Sequence, residues 1–305
     1  MTPGPHHLLD VDDLTAAGLD AVLDLAEQRR PAQVLRGRGV ALLFEKPSLR
    51  TRNATEMAVV QLGGHPVSVR AEEVDVDVRE PAADAARVLS RYHALIGARV
   101  FEHAKLSRMA EAATVPVVNL LSDDSHPCQA LADLLTLRQH WGSVAGRTIA
   151  YVGDGNNVCR SLVLAAALAG MEARVAAPAG FALPAEVAER ATALGGAVVV
   201  ASSPEEAVHG ADAVYTDVWA SMGQEDEAER RRLAFAGYTV DEHLMAKAAE
   251  GALFLHCLPA HRGEEVSAGV LDGPASVVWQ QAENRMHAMR GLLLFLLGAG
   301  AGEAT

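Results

Sequence analysis

VALLFEKPSLRTRNATEMAVVQ, residues 40–61, opens on five apolar residues, breaks at a charged turn containing Pro47, and continues into a stretch rich in Ala, Glu and Met. Val40–Phe44 predicts a buried strand and Arg52–Gln61 a helix, stopped by Gly63-Gly64. The same order returns in TIAYVGDGNNVCRSLVLAAALA, residues 148–169, with Thr148–Val152 as strand and Val158–Ala169 as helix. A strand that is apolar along its whole length is buried on both faces. A helix that follows it directly carries the chain back across the sheet, so both stretches point to parallel sheets covered by helices.

Outward from these anchors the alternation continues. Strands are predicted at Val67–Val69, Ala94–Ile96 and Val115–Asn119, with helices at Pro81–Tyr92, Ala104–Ala113 and Gln129–His140. Trp141–Arg147 is a glycine-containing connection and sets the domain boundary. Beyond it come strands at Ala173–Ala177, Ala197–Ala201, Ala213–Thr216 and Leu253–Leu255, a helix at Pro184–Leu194 and a long final helix at Gln281–Leu297. The expected fold class is α/β, with two doubly wound parallel-sheet domains over 1–140 and 141–280 and a C-terminal helix in 281–305. Ligands are expected at the carboxyl ends of the strands.

Composition agrees. A chain of 305 residues suits two domains by the usual prior of about 100–200 residues each. Half of it is hydrophobic (50%) and 21% is charged, which fits neither disorder nor a coiled coil. With 26 Lys+Arg against 39 Asp+Glu the net charge is −13, so no nucleic-acid partner is expected. The apolar run Leu292–Leu297 is too short to span a bilayer, and MTPGPHHLLDVDDL has no basic start before an apolar core. Three cysteines far apart in sequence, Cys128, Cys159 and Cys257, suit a reducing cytoplasm.

Chemistry-bearing residues collect where strands end. A helix N-terminus near Ser48 offers backbone N–H groups to an anion, with Ser48 and Thr51 hydroxyls and the Arg50 and Arg52 guanidiniums beside it. A Ser N-cap followed by two solvated arginines is the alternative. His126 and Gln129, in NLLSDDSHPCQ, are donors at a second strand-to-helix junction, or parts of an ordinary loop before Pro127. Arg99, ending the preceding strand, shares that ambiguity. YVGDGNNV suggests a dinucleotide turn, but Val158 stands where a third glycine belongs and no acid ends the next strand, which argues against a nicotinamide cofactor. Asp217, in TDVWASMGQED, is placed to hold an ammonium group and Ser221 a carboxylate, or the stretch is an acidic surface loop. His256, Cys257 and His261 invite a zinc reading, and Cys257 a nucleophilic one. No zinc-site spacing accompanies them.

Together these segments resemble the aspartate/ornithine carbamoyltransferase family, in order and at comparable spacing, from about Leu8 to about Leu297. SLRTR is similar to the family's Ser-Thr-Arg-Thr-Arg phosphate loop, with Leu49 in place of the Thr. HPCQ matches its His-Pro-x-Gln motif, and DVWASMGQE with HCLP is similar to the ornithine-binding members. Arg70–Glu80 has no lysine of the kind the aspartate branch carries, and Ser221–Val240 has no proline of the kind found in members acting on acylated ornithines. The resemblance implies carbamoyl transfer from carbamoyl phosphate to the δ-amine of L-ornithine, without metal or organic cofactor. The alternatives are another amine or amino acid (aspartate, putrescine, an N-acylornithine) or a non-catalytic member. It implies that Ser48, Leu49, Arg50 and Thr51 cradle the phosphate and that Arg99, His126, Gln129 and Arg285 meet the carbamoyl phosphate. Asn157, Asp217, Ser221 and Met222 then hold ornithine, and Cys257 and Leu258 line the join between domains. It further implies a carbamoyl-phosphate-binding first domain, an ornithine-binding second domain, an active site in the cleft between them and a final helix returning to the first domain. The resemblance also implies a homotrimer, or a multiple of trimers, in which the loop at about Arg70–Glu80 reaches a neighbouring site.

Overall fold

A computed structural model describes residues 7–70, 73, 76–220 and 227–298. The first unit takes the described residues up to Leu135 and again from Glu283; the second is Thr136–Ala282. In the first unit the order is α1 (Ala16–Ala26), β1 (Gly39–Phe44), α2 (Arg50–Gln61), β2 (His65–Arg70), α3 (Ala82–Tyr92), β3 (His93–Arg99), α4 (His103–Ala112), β4 (Val117–Leu121) and α5 (Pro127–Trp141). The four strands pair in the order β2-β1-β3-β4, all parallel. Alternate residues of the central strands, Ala41 and Leu43 with Ile96, Ala98 and Val100, pack with Leu106 and Met109 of α4 into one core layer, as a two-residue side-chain period requires.

The second unit runs β5 (Thr148–Val152), α6 (Asn157–Leu168), β6 (Glu172–Ala176), α7 (Ala185–Ala193), β7 (Ala197–Val200), α8 (Pro204–Val208), β8 (Ala213–Thr216), α9 (Ala228–Ala234), α10 (Glu242–Met245), β9 (Leu253–His256) and α11 (Ala268–Leu271). Its strands pair in the order β7-β6-β5-β8-β9, again all parallel. Val152, Val214 and Phe254 sit in a core with Val240, Val266 and Val278. Both sheets are therefore doubly wound. The strand order reverses between β1 and β3 in the first and between β5 and β8 in the second, and ligands of such sheets lie at that reversal.

The division between units falls inside α5, not in the connection at Trp141–Arg147, and again inside α12 (Val278–Leu296). A helix that supplies residues to both units has no glycine or proline at the division to announce it. The later part of α12 belongs to the first unit for visible reasons. Arg290 donates to the carbonyls of Ala26 (2.7 Å) and Gln28 (2.9 Å) at the end of α1 and to Gln61 Oε1 (2.9 Å) on α2. Gly291 lets the two helix backbones meet, since a Cβ there would collide with the Val22 carbonyl. Among the described residues no helix is long and apolar enough to cross a membrane.

Candidate active site

In the first unit, Phe44 at the end of β1 lies in register with Arg99 at the end of β3, and Glu45 N–H donates to the Arg99 carbonyl at 2.9 Å. The turn after β1 is tied down by Glu45, which accepts from Phe101 N–H at 2.8 Å and pairs with Lys105 at 2.7 Å. Helix α2 begins at Arg50, with Leu49 as its N-cap and no side-chain capping bond. Ser48 is therefore not the cap, contrary to the simpler sequence alternative. Its Oγ accepts instead from Arg99 Nη1 at 3.3 Å, and Thr51 Oγ1 accepts from the same nitrogen at 3.4 Å. Arg52 is also not part of this group: it pairs with Glu56 at 2.9 Å with 40% of its side chain exposed.

Arg285, from α12, completes the cluster. Its Nη2 donates to Thr51 Oγ1 at 3.1 Å, its Nη1 donates to Gln129 Oε1, and the same Nη1 stands 3.5 Å from His126 Nε2. Arg99, His126, Gln129 and Arg285 are all buried. Burial first, then the charges of Arg285, Arg99 and Arg50, hold His126 well below the usual imidazole range. A neutral imidazole still donates one hydrogen bond, which is what a carbonyl oxygen gaining charge needs. Lys46, whose ammonium lies 4.1 Å from the centre of the Phe101 ring, is also shifted down by burial and by Arg99. Guanidiniums gathered at a side-chain-uncapped helix start can take an anion of more than one charge, because each fork and each free backbone N–H donates to an oxygen.

In the second unit three strand ends converge on one carboxylate. Asn156, after the turn that follows β5, caps α6 with Oδ1 accepting from Val158 N–H (3.0 Å) and Cys159 N–H (3.1 Å), while its Nδ2 donates to Asp217 Oδ2 at 2.9 Å. Asp217 follows β8, and its other oxygen accepts from the Cys257 thiol, after β9, at 2.9 Å. The carboxylate is buried. The glycine turn serves packing: a Cβ on Gly155 would lie 2.6 Å from the Ala182 carbonyl oxygen, so the resemblance to a dinucleotide turn has a local steric origin. Asn157 opens α6 and is half-buried.

Leu258 is held at φ +59°, a left-handed conformation that costs a branched residue about 1–2 kcal/mol. Its N–H donates to His256 Nδ1 at 2.9 Å, so Nε2 carries the ring proton and faces Glu265 Oε1 at 3.1 Å. Both ring nitrogens of His256 are thus engaged. Asp217, His256 and Cys257 are one group of neighbouring donor atoms, and His261 falls with Glu264 and Glu265 in another. The set His256, Cys257 and His261 does not form.

Ser221 and Met222 lie outside the described residues, but both flanks of their segment are held by one buried arginine. Arg231 donates to the Trp219 carbonyl at 2.9 Å, to Glu227 at 3.1 Å and to Asp154 at 2.6 Å, and lies 4.8 Å from the centre of the Phe181 ring. Burial raises the Asp154 pKa, and Arg231 opposes that shift. Asn156 is placed as its sequence suggests, an amide at a helix start, whereas Asp133, which accepts from Gln129 Nε2 at 2.8 Å, and Arg231 are organisers that motif reading passes over. Only the four-residue spacing from Gln129 marks Asp133. Nothing in the sequence marks Arg231.

The family profile for the aspartate/ornithine carbamoyltransferase carbamoyl-P binding domain matches residues 6–139, and that for the Asp/Orn binding domain matches 145–296. An ornithine carbamoyltransferase of Acidothermus cellulolyticus is 53% identical over 97% of this chain and 98% of its own. One from Parafrankia is 51% identical, with 98% of each covered. The solved ornithine carbamoyltransferase of Pyrococcus furiosus superposes with a TM-score of 0.93 at 44% identity, over 98% of this chain and 99% of that one. Motifs, strand order and matched length agree, and the chain belongs to the aspartate/ornithine carbamoyltransferase family.

Proposed function

We propose that the protein transfers the carbamoyl group of carbamoyl phosphate to the δ-amine of L-ornithine, giving L-citrulline and phosphate, in arginine-type amino-acid metabolism in the cytoplasm. The observation that carries the substrate is the full-length similarity to proteins named for ornithine; the buried Asp217 carboxylate supports it. In this reading Ser48, Leu49, Arg50 and Thr51 take the phosphate through the start of α2, and Arg285 closes over it. Arg99 and His126 donate to the carbamoyl oxygen as its carbon becomes tetrahedral, and Gln129 meets the carbamoyl amide. Asn157, Asp217, Ser221 and Met222 hold ornithine, with Cys257 and Leu258 beside its side chain.

The displacement balances without a cofactor. A lysine-like δ-amine has a pKa near ~10.4 in water and attacks only when neutral, so the first requirement is loss of its proton. Asp217 and Cys257 supply the local acceptor environment. The nitrogen lone pair forms the new C–N bond, the bond from carbamoyl carbon to bridging oxygen breaks, and the departing phosphate takes a proton from the amine. Positioning of two reactants accounts for about 7–11 kcal/mol of such a barrier.

A panel of amines tests the substrate. Citrulline formation from L-ornithine should exceed turnover of aspartate, putrescine or N-acetylornithine by at least about a hundredfold in kcat/KM; a faster reaction with any of these would remove the assignment.

The same reading includes a homotrimer, or a multiple of trimers. Met57 and Val60 are about half exposed on one face of α2, and Val78 is exposed in the stretch after residue 76. Such apolar surface beside the phosphate loop suits a second copy of the chain. Residues 71, 72, 74 and 75 of the expected reaching loop lie outside the described residues. Light scattering should report three chains or a multiple. A mixture of inactive variants altered at Arg79 and at Arg99 should regain activity on subunit exchange. A stable, fully active monomer would end the trimer reading.

A further inference from the structure

Asp133 lies one helical turn beyond Gln129 on α5 and is fully buried, the only buried carboxylate of the first unit among the described residues. Its Oδ1 accepts from Gln129 Nε2 at 2.8 Å. At the other end of that amide, Gln129 Oε1 accepts from Arg285 Nη1, and Arg285 Nη2 continues to Thr51 Oγ1 at 3.1 Å. A carboxylate only accepts and a guanidinium only donates. The Gln129 amide is therefore held between an acceptor and a donor, with its NH2 turned towards Asp133 and its oxygen towards the arginine cluster.

That polarity bears on which acyl phosphate fits, and rests on the function proposed above. An amide oxygen accepts N–H groups and offers nothing to a methyl. Once Arg285 turns to a phosphate, Asp133 is what keeps the oxygen of Gln129 outward. We propose that Asp133 is a positioning residue that acts through Gln129 to make the site select a carbamoyl over an acetyl group, by presenting an oxygen to the ligand's NH2. Acetyl phosphate differs from carbamoyl phosphate only in having CH3 in place of that NH2.

The test is the ratio of affinities for these two ligands, by equilibrium binding of carbamoyl phosphate and competition by acetyl phosphate, on the full-length protein. Asp133→Leu removes the acceptor while keeping the same branched heavy-atom framework and should weaken carbamoyl phosphate by about tenfold and acetyl phosphate by less than about twofold. Asp133→Asn keeps an oxygen for Gln129 Nε2 and should restore the ratio to within about threefold of the parent. Should the lone leucine variant fold poorly, the paired change Gln129→Met with Asp133→Leu leaves neither member of the pair orphaned. It should show the same lost selectivity as Gln129→Met alone. Equal weakening of both ligands by Asp133→Leu, no rescue by Asp133→Asn, or a parental ratio in the paired variant would overturn the role. Parent protein that binds neither ligand would instead remove the proposed function, and this inference with it.

Discussion

Replacing Arg99 with methionine is expected to lower kcat/KM by at least about a hundredfold, some 2.7 kcal/mol of transition-state stabilisation. Arg99 stands at the strand-order reversal, where β1 and β3 end in register, and its guanidinium already donates to the Ser48 and Thr51 hydroxyls that begin the phosphate loop. Buried and charged, it can offer an anion hydrogen bonds about twice as strong as neutral ones. The loss should fall mainly on kcat, because charge on the carbamoyl oxygen grows only on the way to the tetrahedral carbon. Stability separates this role from a structural one. Arg99 shares its surroundings with the like charges of Arg285 and Arg50, and removing one cation from such a group relieves repulsion and desolvation, so the Tm should not fall by more than a few degrees. Steady-state kinetics with a thermal scan gives both readings, and activity within about threefold of the parent would place Arg99 outside the reaction.

Asp217→Asn should be nearly as damaging, but on the other substrate. The carboxylate receives Asn156 on one oxygen and Cys257 on the other, so three strand ends hold it rigid at the reversal of the second sheet. An ionised acceptor placed this way contributes about 1.5–3 kcal/mol to an ammonium ligand. The asparagine side chain keeps the shape and one acceptor but loses the charge. Ornithine kcat/KM is expected to drop by about a hundredfold while carbamoyl phosphate binds within about threefold of the parent. Kinetics in ornithine with equilibrium dialysis of carbamoyl phosphate separates the two. Equal losses for both substrates would show that Asp217 supports the fold rather than the amine.

Much of this architecture was legible in the amino-acid order. Continuous apolar runs at Val40–Phe44 and Thr148–Val152, each followed by a helix, require parallel buried sheets, and both sheets are all parallel. Motifs were legible because chemistry at strand ends is local: SLRTR, HPCQ and HCLP each sit within a few residues of one strand terminus. Helix α2 starts at Arg50, two residues before the Arg52 that the pattern suggests, because a charged first turn carries no apolar period, and whether the Ser48 hydroxyl turns to the helix or to a distant arginine is not written in its neighbours. The division of the units inside α5 leaves no mark in the sequence, because a helix that continues through it shows no break in periodicity.

The sequence by itself thus determined the alternation of strand and helix, the parallel sheets and the family, all of which rest on neighbours along the chain. Tertiary structure alone decided what each polar atom faces. It brings Arg285 from α12 to Thr51 and Gln129, turns Ser48 from a helix cap into an acceptor for Arg99, and closes Asp217 between Asn156 and Cys257. The partners in these contacts lie 40 to 234 residues apart. Periodicity carries no information at that range, because it records only which face of an element is buried and not which element covers it.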